Sequence, residues 1–92
     1  MIETFRHKGL KRFYEVNDTR GIGAQMRNRI EEILTLLDSA EKLDDLNIPG
    51  YRLHPLVGNR QGEWSIRVTS NWRITFRFEN GHVLDVDLED YH

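Results

Sequence analysis

The spacing of apolar residues changes at Gly50. Before it, hydrophobic side chains recur at helical intervals; after it, they alternate with polar ones. The clearest helical stretch is 24–40, "AQMRNRIEEILTLLDSA". There Met26, Ile30, Ile33, Leu34 and Leu37 form one stripe of period 3.6, which needs a surface to bury it. A shorter helix is predicted over 8–16, "KGLKRFYEV". Leu10, Phe13 and Tyr14 fall at helical spacing, and Lys8, Lys11 and Arg12 leave by the other faces. "NDTRGIG" at 17–23 separates the two helices, because Asn, Asp and closely spaced glycines break regular structure. "IETF" at 2–5 alternates and predicts a short opening strand. "KLDDLNIPG" at 42–50 closes the second helix, with Leu43 and Leu46 anchoring a turn that Pro49 and Gly50 end.

Beyond Gly50 the period is two. "YRLHPL" at 51–56 is extended, because Pro55 excludes His54 from the helical region. "VGNRQGE" at 57–63 is a loop. "WSIRV" at 64–68 sets Trp64, Ile66 and Val68 against Ser65 and Arg67, and "TSN" turns the chain. "WRITFRF" at 72–78 sets Trp72, Ile74, Phe76 and Phe78 against Arg73, Thr75 and Arg77. Asn80-Gly81 is a tight hairpin turn, after which Leu84, Val86 and Leu88 oppose Asp85, Asp87 and Glu89. The expected fold is α+β in the order β-α-α-β-β-β-β, one domain over 1–92. Two N-terminal helices cover the apolar face of a curved, mainly antiparallel sheet. The opposite face stays open. If Leu53 faces the core, then Arg52 and His54 point to that open face, together with Arg67, Arg73 and Arg77.

Charge sharpens this picture. The 92 residues carry a net charge of -2, which argues against a strong overall field for nucleic acid. Yet Arg52, Arg60, Arg67, Arg73 and Arg77 fall between Tyr51 and Phe78 with Glu63 as the only acid among them. Arginine binds phosphate in a planar, bidentate way. Cross-strand pairing of these arginines with Asp85 and Asp87 is the plainer expectation, above all for Arg77 beside the hairpin. Cysteine is absent, so disulfides and thiolate metal sites are excluded. No apolar run approaches the roughly 20 residues that span a bilayer, and "MIETFRHKGLKRF" is too polar for a signal-peptide core. The expected compartment is the cytoplasm.

His7, His54, His82 and His92 show no pair at metal-ligand spacing, so neither a metal nor any other cofactor is expected. There is no full phosphate-binding glycine fingerprint and no nucleophile elbow. One metal-free reaction suits imidazoles, a carboxylate, a phenol and arginines: RNA cleavage by the substrate's own 2′-hydroxyl. It needs a base for the 2′ proton, an acid for the 5′ leaving oxygen and cations for the phosphorane. Histidine ordinarily titrates near pH 6.5 and serves either role. A terminal carboxylate on His92 would favour its imidazolium form and suit it to the acid role.

"YRLHPLVGNRQGEWSIRVTSNWRITFRF" and the closing "DYH" closely resemble the HigB, or killer, branch of the RelE-type bacterial toxins, and "MIETFRHKGLKRFYE" is similar to that family's N-terminus. The resemblance implies a type II toxin that enters the ribosomal A site, cuts the bound mRNA without a metal and halts translation. It implies an active-site group of His54, Asp90, Tyr91 and His92, with Arg73 on the scissile phosphate and Asn71 close to the RNA. His54 and Asp90 are both base candidates, His92 is the acid candidate, and Tyr91 orients the substrate or stacks on a base. Arg67, Arg60 and Lys8 are expected on the RNA surface. The implied partners are mRNA, the bacterial ribosome with its small-subunit RNA, and a HigA-type helix-turn-helix antitoxin; no membrane is involved. Relatives often carry Lys where this chain has Val57, a loss that Lys8 or Arg60 would offset. Strict alternation would put Asp90 and His92 on the side of Leu88, facing the helices. The last strand is therefore expected to end, bulge or twist near Glu89. A non-catalytic protein- or nucleic-acid-binding module on the same fold is the rival expectation.

Overall fold

Helix α1 (Lys8–Val16) begins at His7, whose Nδ1 accepts the Leu10 N–H at 3.0 Å and satisfies a donor the first turn would leave free. It stops at Asn17, which adopts the left-handed conformation and donates its N–H to Arg12 and Phe13 carbonyls. The computed structural model describes residues 1–91. The loop after α1 returns across the helix start so closely that a Cβ on Gly21 would lie 2.7 Å from the Gly9 Cα. Only glycine at both positions allows that approach. A 3₁₀ turn (Ala24–Met26) leads into α2 (Arg27–Ser39), which buries Ile30, Ile33, Leu34 and Leu37. The predicted stripe is therefore correct, with Met26 packing from the turn. Tyr14 ties the helices together by donating its hydroxyl to Asp38 at 2.7 Å. That carboxylate pushes the phenol up to about 12.

Four antiparallel strands follow, β1 (His54–Pro55), β2 (Glu63–Arg67), β3 (Trp72–Glu79) and β4 (His82–Asp90), paired in the order β1-β2-β3-β4. Ile66, Ile74, Phe76, Val83, Val86 and Leu88 join the helical stripe in one core. The segment at 2–5 is not a full strand. Ile2 and Phe5 form isolated parallel bridges to Val83 and Val86, and the Glu3 and Arg6 amides bond to β4 carbonyls at 2.8 Å. This segment covers the edge that β4 would otherwise expose.

The last strand differs from expectation in one respect that matters for the site. Thr75 pairs with Asp87, but Arg77 pairs with Leu84, so β4 holds one extra residue. Asp85 takes it up with a φ of 55°, a β-bulge that reverses the alternation. Val83, rather than Leu84, is thus buried, while Leu84 pairs with Arg77 on the open face. Beyond the bulge the register is regular: Leu88 opposite Ile74, Glu89 opposite Arg73, Asp90 opposite Trp72. The irregularity expected near Glu89 lies four residues earlier, and β4 ends in register at Asp90.

Candidate active site

His54 is placed from both sides. Pro55 holds it extended and its β1 position pairs it with Ser65. Upstream, Arg29 of α2 donates to the Gly50 carbonyl at 2.7 Å and the Arg67 carbonyl at 3.1 Å, and stacks on Tyr51 at 4.2 Å from its ring centre. The Arg67 amide in turn donates to the Tyr51 carbonyl at 2.8 Å. The helix layer thus anchors the chain just before His54. Arg52 carries a φ of 52°, a conformation costly for a residue with a Cβ and found here at the rim of the site.

Because cross-strand partners share a face, Glu63, Ser65, Arg67, Arg73, Thr75, Arg77, Asp87 and Glu89 all lie on the side expected to be open, but that side is not bare: Glu63, Ser65 and Thr75 are buried there. A cleft of about 290 Å³ opens there, lined by Arg52, Leu53, His54, Ser65, Arg73 and Tyr91. Strict alternation through Asp90 brings Tyr91 round to this side, and its amide donates to the Asn71 carbonyl at 2.5 Å. The Arg73 guanidinium lies 5.0 Å from the centre of the Tyr91 ring. Arg73 Nε and Ser65 Oγ are buried and have no hydrogen-bond partner among the described residues. Such groups are costly in a finished fold and mark places where a ligand completes the bonding.

His54, Arg73 and Tyr91 therefore come together as the residue pattern implied. Asn71 adjoins them through its bond to Tyr91. Arg67 stands directly opposite Arg73 on the neighbouring strand, but it does not line the cleft, and its Nε donates to the Thr69 carbonyl at 3.3 Å. Asp90 alternates to the side of Leu88 and Trp72 and does not line the cleft. Lys8 is exposed at the start of α1 and does not line it either. His92 lies outside the described residues. Arg60 is taken up by acids: its guanidinium meets Glu89 at 2.7 and 2.5 Å and Glu63 at 2.9 and 3.2 Å. Arg60 holds both carboxyls below the ordinary carboxylate range, and they raise its own pKa. The pairing expected for Arg77 is to Glu79, at 3.4 Å, rather than to Asp85 or Asp87. Ser65 was not singled out from the sequence, although its place opposite His54 follows from pairing the two strands. Among the described residues no three His, Cys, Asp or Glu side chains group so as to hold a metal ion.

A family model described as "RelE-like toxin of type II toxin-antitoxin system HigB" matches residues 3–92. The chain belongs to the HigB-like toxin family. Endoribonuclease HigB of Proteus vulgaris is 49% identical over 92 residues, covering 100% of both chains. Toxin HigB-1 of Vibrio cholerae serotype O1 is 36% identical over 89 residues, covering 95% of this chain and 94% of its own. Among solved structures, YafQ from E. coli matches with a TM-score of 0.64 at 17% identity, covering 98% of this chain and 91% of that one. A chain of the YoeB-YefM complex from Staphylococcus aureus matches with a TM-score of 0.64 at 21% identity, covering 100% of this chain and 95% of that one. These last two likenesses show the shared RelE-like fold. As a HigB-like toxin of a type II system, the chain has an antitoxin for a partner. Among the described residues no helix is long and apolar enough to cross a membrane.

Proposed function

We propose that this HigB-like toxin is a ribosome-dependent endoribonuclease that cuts mRNA in the A site of the bacterial ribosome, in the cytoplasm, and so stops translation and growth. The observation that most supports this reading is the single cleft holding His54, Arg73 and Tyr91. Arg73 binds the scissile phosphate through its unpartnered Nε edge, and Arg67 adds a second positive charge across the sheet. His54 takes the proton from the 2′-hydroxyl, whose oxygen attacks phosphorus as the bond to the 5′ oxygen breaks. The products are a 2′,3′-cyclic phosphate and a 5′-hydroxyl. His92 gives the 5′ oxygen its proton, and Tyr91 stacks on or orients the nucleotide. Asp90, the other base candidate, does not line the cleft, so the base role falls to His54; Asn71 and Lys8 contact RNA outside the cleft. The antitoxin is of the helix-turn-helix class.

Ribosome dependence is tested by offering the protein the same mRNA free and bound to programmed ribosomes, and mapping the new 5′ ends. Cleavage on the ribosome and little on free mRNA is the expected result. Equal cleavage of both would overturn the ribosome requirement. A chain that cleaves neither, and leaves growth unaffected when induced without antitoxin, would be a binding module instead.

A further inference from the structure

The residue opposite Arg73 on β4 is Glu89, on the same open face. Opposite charges so placed ordinarily pair, and a carboxylate on Arg73 would compete directly with a phosphate. That pairing does not occur. Arg60 reaches across from the Gly58–Arg60 turn and clamps both Glu89 oxygens, at 2.7 and 2.5 Å. Thr75 donates its hydroxyl to the same carboxylate at 2.5 Å. Arg60 is itself fixed by Glu63, which Arg6 also approaches at 3.7 Å, so the acids of this cluster are answered without Arg73. On its other flank Arg73 faces Arg67, which offers no negative charge. Its guanidinium turns to the Tyr91 ring instead, and its Nε has no partner among the described residues.

We propose that the Arg60–Glu89 pair is a positioning device that withholds the Glu89 carboxylate from Arg73 and keeps Arg73 open for the scissile phosphate. The inference rests on the reading that Arg73 binds that phosphate. It gives Arg60 a role through Arg73 rather than as an RNA contact. Removing Arg60 frees a carboxylate directly across from the cation that binds the phosphate. Glu89 then swings to Arg73 and neutralises it.

Cleavage of ribosome-bound mRNA is measured for Arg60→Met, Arg60→Met/Glu89→Gln and Arg60→Met/Glu63→Gln, below the melting temperature of each. Arg60→Met is expected to lose about tenfold or more in kcat/KM, part of what losing a charge-stabilising donor costs. Neutralising Glu89 should bring the rate back to within about twofold of wild type, the non-additivity of two directly coupled residues. Neutralising Glu63 should not. That contrast separates positioning from mere stapling, because a lost staple is relieved equally by removing either carboxylate. It also holds if Arg60→Met alone fails to fold, since the two double variants are compared with each other. Equal rates in the double variants, or full activity in Arg60→Met, would overturn the inference. Arg73→Gln is the control for the underlying reading. If it cleaves as well as wild type, the phosphate assignment fails and the inference falls with it. If it is inactive while the double variants match, the inference alone fails.

Discussion

Arg73 is set apart by its neighbours: an arginine on one side, a committed glutamate on the other, and an aromatic ring beneath its edge. The carboxylates that frame it leave a signature in acid. Arg60 holds Glu63 and Glu89 below the usual range, whereas an unfolded chain protonates both near 4.5. Their contribution to stability is therefore present above that pH and is lost as pH falls through the lower folded values. The melting temperature is expected to hold from about pH 7 to about pH 5 and to fall below about pH 4.5, with a shallower fall in Glu89→Gln. An acid limb identical in wild type and Glu89→Gln would assign the loss to other carboxylates. Parity alone made His54 and Arg73 legible as neighbours on one face. The commitment of Arg60 was not legible, because its bond to Glu89 spans 29 residues of sequence and depends on a turn rather than a repeat. Tyr91 reaches the cleft as expected, whereas Asp90 does not, for a simple reason: the strand keeps its register to the end.

At the level of elements, the helical stripe, the hairpin at Asn80-Gly81 and the alternation of β2 and β3 were all readable from apolar spacing. The bulge was not. Asp85 sits in a run that alternates well in either register, and only the requirement to bury Val83 and Val86 together reveals the extra residue. The opening segment likewise reads as a strand but forms two bridges, since its amides meet β4 only at intervals. The contact of Gly9 with Gly21 is another long-range fact that composition hides. Gly21→Ala drives a methyl group into the backbone of α1, and is expected to cost about 1–3 kcal/mol. Thermal or urea unfolding measures this, and an unchanged midpoint would mean that the loop moves aside freely.

For the whole molecule, the division into a helix-covered face and an open face is what makes a small acidic protein able to handle RNA. The net charge of -2 averages over both faces, while the open one gathers Arg52 and Arg73 beside His54 and Tyr91, with Arg67 opposite Arg73. The fold class, the order of elements and the family were within reach of the residues themselves. The site was legible as a set of residues more than as a geometry, because its members come from the ends of β1, β3 and β4. The central claim is that this cleft performs the cleavage. Single-turnover cutting of A-site mRNA by wild type, His54→Gln and Arg73→Gln, with circular dichroism to verify folding, tests it most directly. Both variants are expected to melt with the wild type and to cut slower by on the order of a hundredfold or more. Wild-type rates from the two folded variants would contradict the account.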